Sequence, residues 1–312
     1  MPTLLDYKRR IRSVKSTQQI TRAMKFVAAA KLRRAQEGVF AARPYAREIL
    51  RVLRSAAARI EEPVHPLLER RPEEKILILV VTGDRSLAGA FNSNVLRRTM
   101  EFLRQHSSQK IQMVAVGKKG RDTLRKRGWS FAAEYLEVSR NVEFGKAKEI
   151  AKRAAELYAS HEVDAVYAVY NEFKNVMVQV LRAEKLLPID PGIIRETDGD
   201  DKSAAQRTSS GEPLPTEPSL DNSSRLVDYI YEQPVGEIFA GLVPRYLESE
   251  IFRILLESAA AEHAARMTAM DSATRNAGEL IDKLTLQMNK IRQAGITKEL
   301  IEIVSGAASA MS

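Results

Sequence analysis

Residues 3–60 form a long stretch with almost no helix-breaking interruption. Gly38 and Pro44 are its only glycine and proline, and Ala, Arg, Lys, Leu and Gln, all of which favour helix, dominate. One helix of this length would span about 87 Å at about 1.5 Å per residue. A seam recurs along it at spacings of three and four residues, at Ile11, Val14, Gln18, Thr21, Lys25, Ala28, Leu32, Ala35 and Val39, with a second stripe at Ile20, Met24 and Val27. Such a helix cannot bury its seam alone, so we expect a helical partner of similar length.

The partner helix is predicted at the other end of the chain. From Pro244 to about Ser305, only Gly278 and Gly295 interrupt a helical composition. A repeat typical of a coiled-coil seam continues there for more than three heptads, at Met267, Met270, Thr274, Ala277, Ile281, Leu284, Met288 and Ile291. Small side chains that would permit close helix approach precede it, at Ala259, Ala260, Ala261, Ala264 and Ala265. We expect the two terminal helices to pair antiparallel; two unrelated surface helices are the alternative.

Between the two helices, strand-like and helix-like segments alternate. Strands are predicted at residues 75–82, 111–116, 163–170 and 176–181, and helices at residues 92–105, 118–127 and 145–160. This alternation indicates an α/β layer with a mostly parallel sheet, in which the last two strands form a hairpin. The predicted fold class is α/β with long helices: an antiparallel coiled coil of the N- and C-terminal helices plus a central Rossmann-like α/β domain.

The predicted domain organisation has four parts. These are an N-terminal coiled-coil helix at 1–60, the Rossmann-like domain at 72–195, an acidic flexible insert at 196–224 and a C-terminal coiled-coil helix at 225–312. The insert has seven acidic and two basic residues, three prolines and almost no large apolar side chain, which is typical of a solvated segment. Its aspartates match no metal-binding loop, so solvation is the favoured interpretation.

The net charge of +9 is concentrated in the first helix. Residues 1–60 hold 15 basic and three acidic side chains, a local charge of +12, whereas the remaining residues sum to −3. Such an excess indicates an acidic partner. Nucleic acid would call for stacking residues among the cations, but Tyr7, Phe26, Phe40 and Tyr45 are not interleaved with the basic clusters. The narrow, Ala-rich apolar face also differs from that of a membrane-surface helix, so an acidic protein surface is favoured.

The sequence offers no visible active site. The chain has no cysteine, which excludes a thiol nucleophile and a thiolate metal site, and its four histidines lack metal-ligand spacing. Gly83 and Gly89 lie six residues apart in the loop after the first strand, without the pattern of a phosphate-binding loop. We therefore predict no catalytic, cofactor or metal site. A basic nucleic-acid-binding coiled coil and a nucleotide-dependent enzyme built on the α/β layer stay open as alternatives.

Membrane insertion is not expected from the sequence. No stretch approaches the ~18 consecutive apolar residues of a transmembrane helix. The first residues also lack the charged and then apolar layout of a signal peptide. We expect a soluble chain that is at most peripheral to a membrane.

Three stretches of sequence have a specific pattern, and together they resemble a known family. They are residues 10–34, residues 84–94 and the C-terminal region 266–281 with 296–309. Over nearly the whole chain they resemble the gamma subunit of the F-type ATP synthase, of bacterial type. The family signature is matched at Ile296, Thr297, Glu299, Glu302, Gly306 and Ala307. Ser86 stands where the family usually has glycine, and the lack of cysteine excludes the redox-switched insertion of some photosynthetic relatives.

The resemblance implies a central-stalk rotor that is not catalytic by itself and needs no cofactor. In the family, the terminal helices form an asymmetric shaft inside a ring of alpha and beta subunits, and the α/β domain lies at the foot with the epsilon subunit and the c ring. Ion flow, with H⁺ as the family default, turns the ring and the shaft, which cycles the beta-subunit catalytic sites for ATP synthesis or hydrolysis. The expected location is peripheral, on the cytoplasmic face of the bacterial inner membrane.

Candidate site residues follow from the resemblance by motif. Four positions match the catch that contacts beta-subunit loops, namely Arg292, Gln293, Thr297 and Glu299. Met24 and Lys25 match the surface that faces the acidic lever segment of the beta subunit. The foot segment that meets epsilon and the c ring is matched by Tyr229, Tyr231 and Glu232. The uncharged C-terminal end is expected to turn in a hydrophobic collar, where a charge would carry a desolvation cost.

Overall fold

Two long helices flank a small α/β domain. The computed structural model describes residues 3–57, 65–189 and 235–310. The elements follow the chain as α1 (Leu4–Ala57), β1 (Lys75–Val81), α2 (Phe91–Gln105), β2 (Lys110–Val116), α3 (Lys118–Lys126), β3 (Ala133–Tyr135), α4 (Phe144–Ala159), β4 (Ala165–Phe173), β5 (Gln179–Leu187) and α5 (Val235–Ala310). The predicted acidic insert at 196–224 lies outside the described residues.

The terminal helices pair antiparallel, which confirms the predicted coiled coil. Lys25 of α1 binds Asp271 of α5, whereas Thr21, one turn earlier in α1, meets Thr274, about one turn later in α5. Residue numbers therefore rise along one helix as they fall along the other. Each helix buries its seam against the other, as the repeat of three and four residues predicts.

The second long helix extends on the N-terminal side of Pro244, the last proline of the chain. Helix α5 begins at Val235, and Pro244 lies inside it. A proline in a helix interior costs about 3 kcal/mol because it lacks the backbone donor and its ring crowds the preceding turn. Phe239, Val243 and Leu247 around it are buried in the core of the α/β domain, and each such side chain contributes about 1.5–3 kcal/mol. Tertiary packing thus outweighs the local cost of the proline.

The central sheet has the strand order β3-β2-β1-β4-β5. The first four strands are parallel, and β5 returns antiparallel to β4 as the predicted hairpin. The sequence places the last strand too early, because the Asn175 side chain accepts hydrogen bonds from the N–H groups of Met177 and Val178 at 2.9 and 2.7 Å. These residues form the turn, and the ladder starts at Gln179. Strand β3, with only three residues, is missed by the sequence prediction.

The sheet separates two apolar cores, one on each face. On one face Ile76, Ile78 and Val80 of β1 pack against Val95 and Phe102 of α2. On the other face the alternate β1 side chains pack against α4, the end of α1 and residues of α5 between Phe239 and Leu255. Helix α5 is therefore a layer of the α/β domain as well as half of the coiled coil, so the two parts of the molecule share one core.

Candidate functional site

The predicted seams lie at the interface of the helical pair. All nine seam positions of α1 and all eight of α5 are buried or half-buried. Polar seam residues find partners across the interface. The hydroxyls of Thr21 and Thr274 lie 2.8 Å apart, and the Gln18 amide donates to the Thr274 carbonyl at 3.4 Å. The interface is mixed apolar and polar, and its directional bonds favour this register over others.

Small residues bring the helices close together near the α/β domain, as predicted. Ala260 is fully buried against Leu32. Gly38 of α1 approaches Leu256 so closely that a Cβ atom added there would lie 3.2 Å from the Leu256 Cδ2 atom. Ala261 packs against the loop that follows β1. Small side chains therefore let α5 contact α1 on one side and the α/β domain on another.

The residues predicted to face a beta-subunit lever lie midway along α1. Lys25 pairs with Asp271 of α5 at 2.6 Å, and this hydrogen bond is the main cause of the lowered pKa of the Asp271 carboxyl. Both side chains are partly exposed, at 39% and 36%, so a partner can still reach the charge. Met24 is half-buried beside them. The contact of Met24 and Lys25 with a beta subunit stays a prediction.

The second apolar stripe of α1 is left largely uncovered by α5. Ile20 and Val27 are each 57% exposed and the neighbouring Phe26 is 61% exposed. Exposed cations such as Arg22 and Arg34 lie on the same helix beside them. The apolar surface of α1 is thus wider than its seam, and its outer part is an open surface of mixed apolar and basic character.

Helix α5 continues alone beyond the start of α1. If the register of Thr21 opposite Thr274 is continued one residue at a time, Leu4 at the start of α1 falls opposite Ile291. Ile291 is half-buried, and the nine residues that follow it, 292–300, are all exposed. We call residues 292–310 the tip, because this segment projects past the helical pair as a single helix.

The four predicted catch residues all lie on the tip and are exposed. Gln293 and Thr297 are one turn apart, and the Thr297 hydroxyl donates to the Gln293 carbonyl at 3.0 Å. Arg292 and Glu299 are two turns apart on a neighbouring face, since seven residues are close to two helical turns. The structure thus groups them as two adjacent pairs, one polar and one charged. Their contact with a beta subunit stays a prediction.

The tip also exposes a group of large apolar side chains. Their exposed fractions lie between 52% and 69%, at Ile296, Leu300, Ile301, Ile303 and Val304. A contiguous apolar surface of this kind marks a site that is covered in an assembly. Three of the signature positions, Glu302, Gly306 and Ala307, belong to α5, but the structure does not describe their exposure or contacts. The predicted foot residues Tyr229, Tyr231 and Glu232 also lie outside the described residues.

The carboxyl edge of the sheet, where α/β proteins bind ligands, is occupied by the chain's own side chains. Asp84, just after β1, accepts hydrogen bonds from the N–H groups of Lys118 and Glu137 at 3.0 and 3.1 Å. The N–H group of Gly83 donates to the side-chain oxygen of Asn92 at 2.9 Å. Backbone donors of this type could bind phosphate. Here they are satisfied internally, which speaks against the nucleotide-binding alternative.

A buried ion pair of α5 supports the same loop. Glu262 and Arg266 lie 2.6 Å apart, and a Cβ atom added to Gly83 would lie 2.7 Å from the Glu262 carboxylate carbon. Arg266 also approaches the carbonyl of Ser86 at 3.5 Å. Burial, followed by the charge of Arg266, lowers the pKa of the adjacent His263 to about 4. A carboxylate in this position would repel a phosphate, so the loop serves as an anchor to α5.

A polar cluster at the junction of α5 and the sheet is missed by the sequence analysis. Arg253 is surrounded by Glu250 and Glu257 of α5, by Tyr170 of β4 and by Glu184 of β5. The available signal is a single cation inside an otherwise apolar run of the helix. Its strand partners are remote in sequence, so residue spacing cannot reveal them.

These features define a class of protein. A long antiparallel helical shaft has a single-helix tip at one end and an α/β domain built into its other end. Within the described residues, no helix has the length and hydropathy needed to cross a membrane, and no group of three or more His, Asp and Glu side chains is placed to hold a metal ion. The exposed surfaces are suited to binding other proteins, so the class is that of a shaft-like subunit of an assembly.

Comparison with known proteins identifies the family. A family model described as ATP synthase matches residues 3–310. The ATP synthase gamma chain of Solibacter usitatus is 48% identical over 314 residues, covering 99% of this chain and 100% of the relative. That of Pelotomaculum thermopropionicum is 44% identical, covering 99% of each chain. The chain belongs to the ATP synthase gamma chain family.

Solved structures show the same fold at lower identity. A chain in the cryo-EM structure of the Euglena gracilis mitochondrial ATP synthase (OSCP/F1/c-ring, rotational state 3) matches with a TM-score of 0.63 and 20% identity, covering 99% of this chain and 94% of that chain. A chain in the cryo-EM structure of the central stalk and c ring of the Tetrahymena thermophila mitochondrial ATP synthase matches with a TM-score of 0.56 and 24% identity. The match covers 81% of this chain and 99% of that chain. The architecture of shaft and α/β domain is thus shared with both.

Proposed function

We propose that this chain is the central-stalk rotor of an F-type ATP synthase. It couples ion-driven rotation of the c ring to conformational cycling of the beta-subunit catalytic sites and makes or breaks no bond itself. The observation that supports this most strongly is the tip, which projects past α1 with its catch residues and large apolar side chains exposed. An exposed apolar surface of this kind is suited to burial inside a collar of other subunits.

The mechanism rests on the asymmetry of the shaft. Helix α1 starts opposite Ile291 whereas α5 continues, and the open apolar and basic surface lies on the α1 side. Each surrounding beta subunit therefore meets a different surface at any one angle. A surface that binds one conformation better shifts the subunit toward that conformation. Because such coupling is reciprocal, nucleotide binding and hydrolysis in the ring also turn the shaft.

The catch residues hold the tip at defined angles. Arg292 and Glu299 offer charges, and Gln293 and Thr297 offer hydrogen-bonding groups, to loops of the beta subunits. Hydrogen bonds to charged groups contribute about 1.5–3 kcal/mol each. A few such bonds favour one angle over the next without blocking rotation.

The middle of α1 faces the acidic lever segment of a beta subunit. Lys25 shares its charge between Asp271 and the lever, and Met24 contributes apolar contact. Because these charges are partly exposed, salt screens their attraction over about 8–10 Å at ordinary ionic strength. This contact guides the lever as the shaft turns.

The α/β domain forms the foot of the rotor. Together with Tyr229, Tyr231 and Glu232 it binds the epsilon subunit and the c ring. The chain is therefore a peripheral component on the cytoplasmic face of the bacterial inner membrane. Torque from the c ring enters at the foot and leaves at the tip.

Reconstitution from purified subunits tests this function. We expect the isolated chain to show no ATPase activity, and its mixture with alpha and beta subunits of the same organism to hydrolyse ATP. A bead attached to the α/β domain of the chain in this complex is expected to rotate when ATP is added. ATP hydrolysis by the isolated chain at the rate of the complex would contradict the proposal. A bead that stays at one angle during turnover would contradict it as well.

A further inference from the structure

The junction between α5 and the sheet combines extensive apolar packing with one concentrated polar cluster. Ile251, Ile254 and Leu255 of α5 are buried in the core that they share with β1 and β4. Apolar burial is strong but non-directional. Interlocking side chains favour one arrangement of the helix on the sheet. Directional bonds add a sharper dependence of the energy on the angle between the two.

Arg253 supplies directional bonds from the helix to two strands. Its guanidinium donates to the Tyr170 hydroxyl on β4 at 3.3 Å and to the two carboxylate oxygens of Glu184 on β5 at 3.1 and 3.2 Å. The Tyr170 hydroxyl in turn donates to Glu184 at 2.6 Å. The three side chains therefore close a ring of hydrogen bonds across the junction.

Two carboxylates of α5 itself hold the guanidinium in place. Arg253 donates to Glu250, three residues earlier, at 3.0 and 2.7 Å, and to Glu257, four residues later, at 3.2 Å. Glu257 is buried, and its second carboxylate oxygen has no hydrogen-bond partner among the described residues. Burial disfavours the charge on Arg253, but the surrounding carboxylates hold its pKa well above the ordinary value. The side chain is thus a permanent cation with a fixed orientation.

A second polar contact joins α5 to the domain, at the loop after β1. Arg266 lies 13 residues further along α5, about 20 Å at the usual helical rise, and it reaches the Ser86 carbonyl at 3.5 Å. This contact is longer than those of Arg253 and has a neutral acceptor. The Arg253 cluster is accordingly the stronger directional link.

We propose that Arg253 is a positioning residue that locks the α/β domain at one angle on α5, so that torque applied to the domain turns the tip without slip. This inference rests on the rotor function proposed above. Torque crosses the junction as a sideways force. Charge-assisted hydrogen bonds with defined geometry resist such a force, because a small displacement lengthens or bends them.

The test uses the complete enzyme in lipid vesicles, with R253M in this chain. Methionine keeps most of the apolar stem and removes the guanidinium. We expect R253M to keep hydrolysing ATP but to lose ion pumping per ATP hydrolysed. R253K, with one ammonium in place of a five-donor fork, is expected to lie between R253M and the wild type. The matched control is R125M, which removes an exposed arginine of α3 that pairs with Glu134 of β3 in the same domain; it is expected to pump like the wild type.

A mechanical measurement separates a lock from a general role in folding. With the tip held in the ring, a bead on the α/β domain is expected to fluctuate over a wider angle in R253M than in R125M. Because the chain has no cysteine, the pair R253C and E184C can be bridged selectively by a short bifunctional maleimide in the purified chain, before the enzyme is assembled. We expect the bridge to restore both the narrow fluctuation and the pumping ratio, although it restores no charge.

The outcomes distinguish the two proposals. A wild-type enzyme that hydrolyses ATP without pumping ions would contradict the rotor function itself. If the wild type pumps ions and R253M matches it in both ions pumped per ATP and angular fluctuation, only the role of Arg253 is overturned. Should R253M fail to assemble, E184Q is the second variant, because it removes only the carboxylate that β5 contributes to the cluster. An unchanged number of ions pumped per ATP and an unchanged angular fluctuation in E184Q would overturn the lock.

Discussion

Gly83 occupies a position where even one methyl group has no room. It follows β1, and a Cβ atom there would lie 2.7 Å from the carboxylate carbon of Glu262. That carboxylate is buried and held by Arg266 at 2.6 Å, so it cannot simply move aside. We expect G83A to lower the free energy of unfolding by about 1–3 kcal/mol, the usual cost of overpacking. This change in the free energy of unfolding is measured by urea unfolding, monitored by circular dichroism.

Gly241 provides the matched control within α5. A Cβ atom added there meets no heavy atom within 4 Å. G241A is therefore expected to raise the free energy of unfolding by about 0.5–1 kcal/mol, since alanine favours a helix interior over glycine. Equal stability of G83A and G241A would show that the loop adjusts to the added methyl group.

His263 makes the chain sensitive to mild acid. Burial, followed by the charges of Arg266 and Lys31, lowers its pKa from 6.5 to about 4 in the folded chain. Between these pH values the unfolded chain binds a proton that the folded chain does not, so stability falls as the pH drops. A fall in pH through the whole interval lowers the free energy of unfolding by about 3 kcal/mol. H263Q, which cannot titrate, is expected to lose correspondingly less stability between pH 7 and pH 4 in urea unfolding.

Carboxylates elsewhere in the chain also respond to acid. Comparing the wild type with H263Q separates their effect on stability from that of His263. The pKa of Asp271, for example, is lowered mainly by its hydrogen bond to Lys25. Such groups contribute equally to the wild type and to H263Q. Parallel pH profiles of stability for the two proteins would rule out His263 as a source of the acid sensitivity.

At the scale of elements, the paired hydroxyls of Thr21 and Thr274 set the alignment of α1 and α5. Each hydroxyl is also close to a carbonyl of its own helix, Gln18 at 3.0 Å and Met270 at 2.7 Å. We expect either single change to valine to cost about 1 kcal/mol, because the other hydroxyl loses its partner across the interface. The double variant is expected to be nearly as stable as the wild type. A double-mutant cycle by urea unfolding measures the coupling, and additive single effects would contradict it.

The elements also show how far sequence reasoning extends. All nine seam positions predicted for α1 are buried or half-buried, because helical periodicity is a local property that the sequence reveals. It cannot predict that Lys25 meets Asp271, since that depends on the register of two helices distant in sequence. Pro244 lies inside α5 for a related reason, because packing against the α/β domain overrides the local preference of proline to break a helix. The Arg253 cluster depends on the same packing, so the sequence offers only an isolated cation.

At the scale of the whole molecule, the shaft and the domain share a core but differ in their surfaces. The α/β domain satisfies its sheet-edge donors internally, with Asp84 and Asn92 as acceptors. The shaft leaves apolar and charged side chains exposed along α1 and on the tip. The largest apolar core therefore lies at the domain, and the exposed surfaces of the shaft lie away from it. Changes on the tip are accordingly expected to affect assembly and coupling more than folding.

The double variant R292A/Q293A tests this separation. Both side chains are exposed, and surface changes of this kind alter stability by less than about 0.5 kcal/mol. Loss of a charged hydrogen bond to a partner costs about 1.5–3 kcal/mol. We therefore expect a chain that unfolds like the wild type but supports markedly less ATP synthesis in the reconstituted enzyme. K148A/E149A, two adjacent exposed residues on α4, is the control and is expected to synthesise ATP normally. Undiminished synthesis by R292A/Q293A would remove both residues from the candidate site.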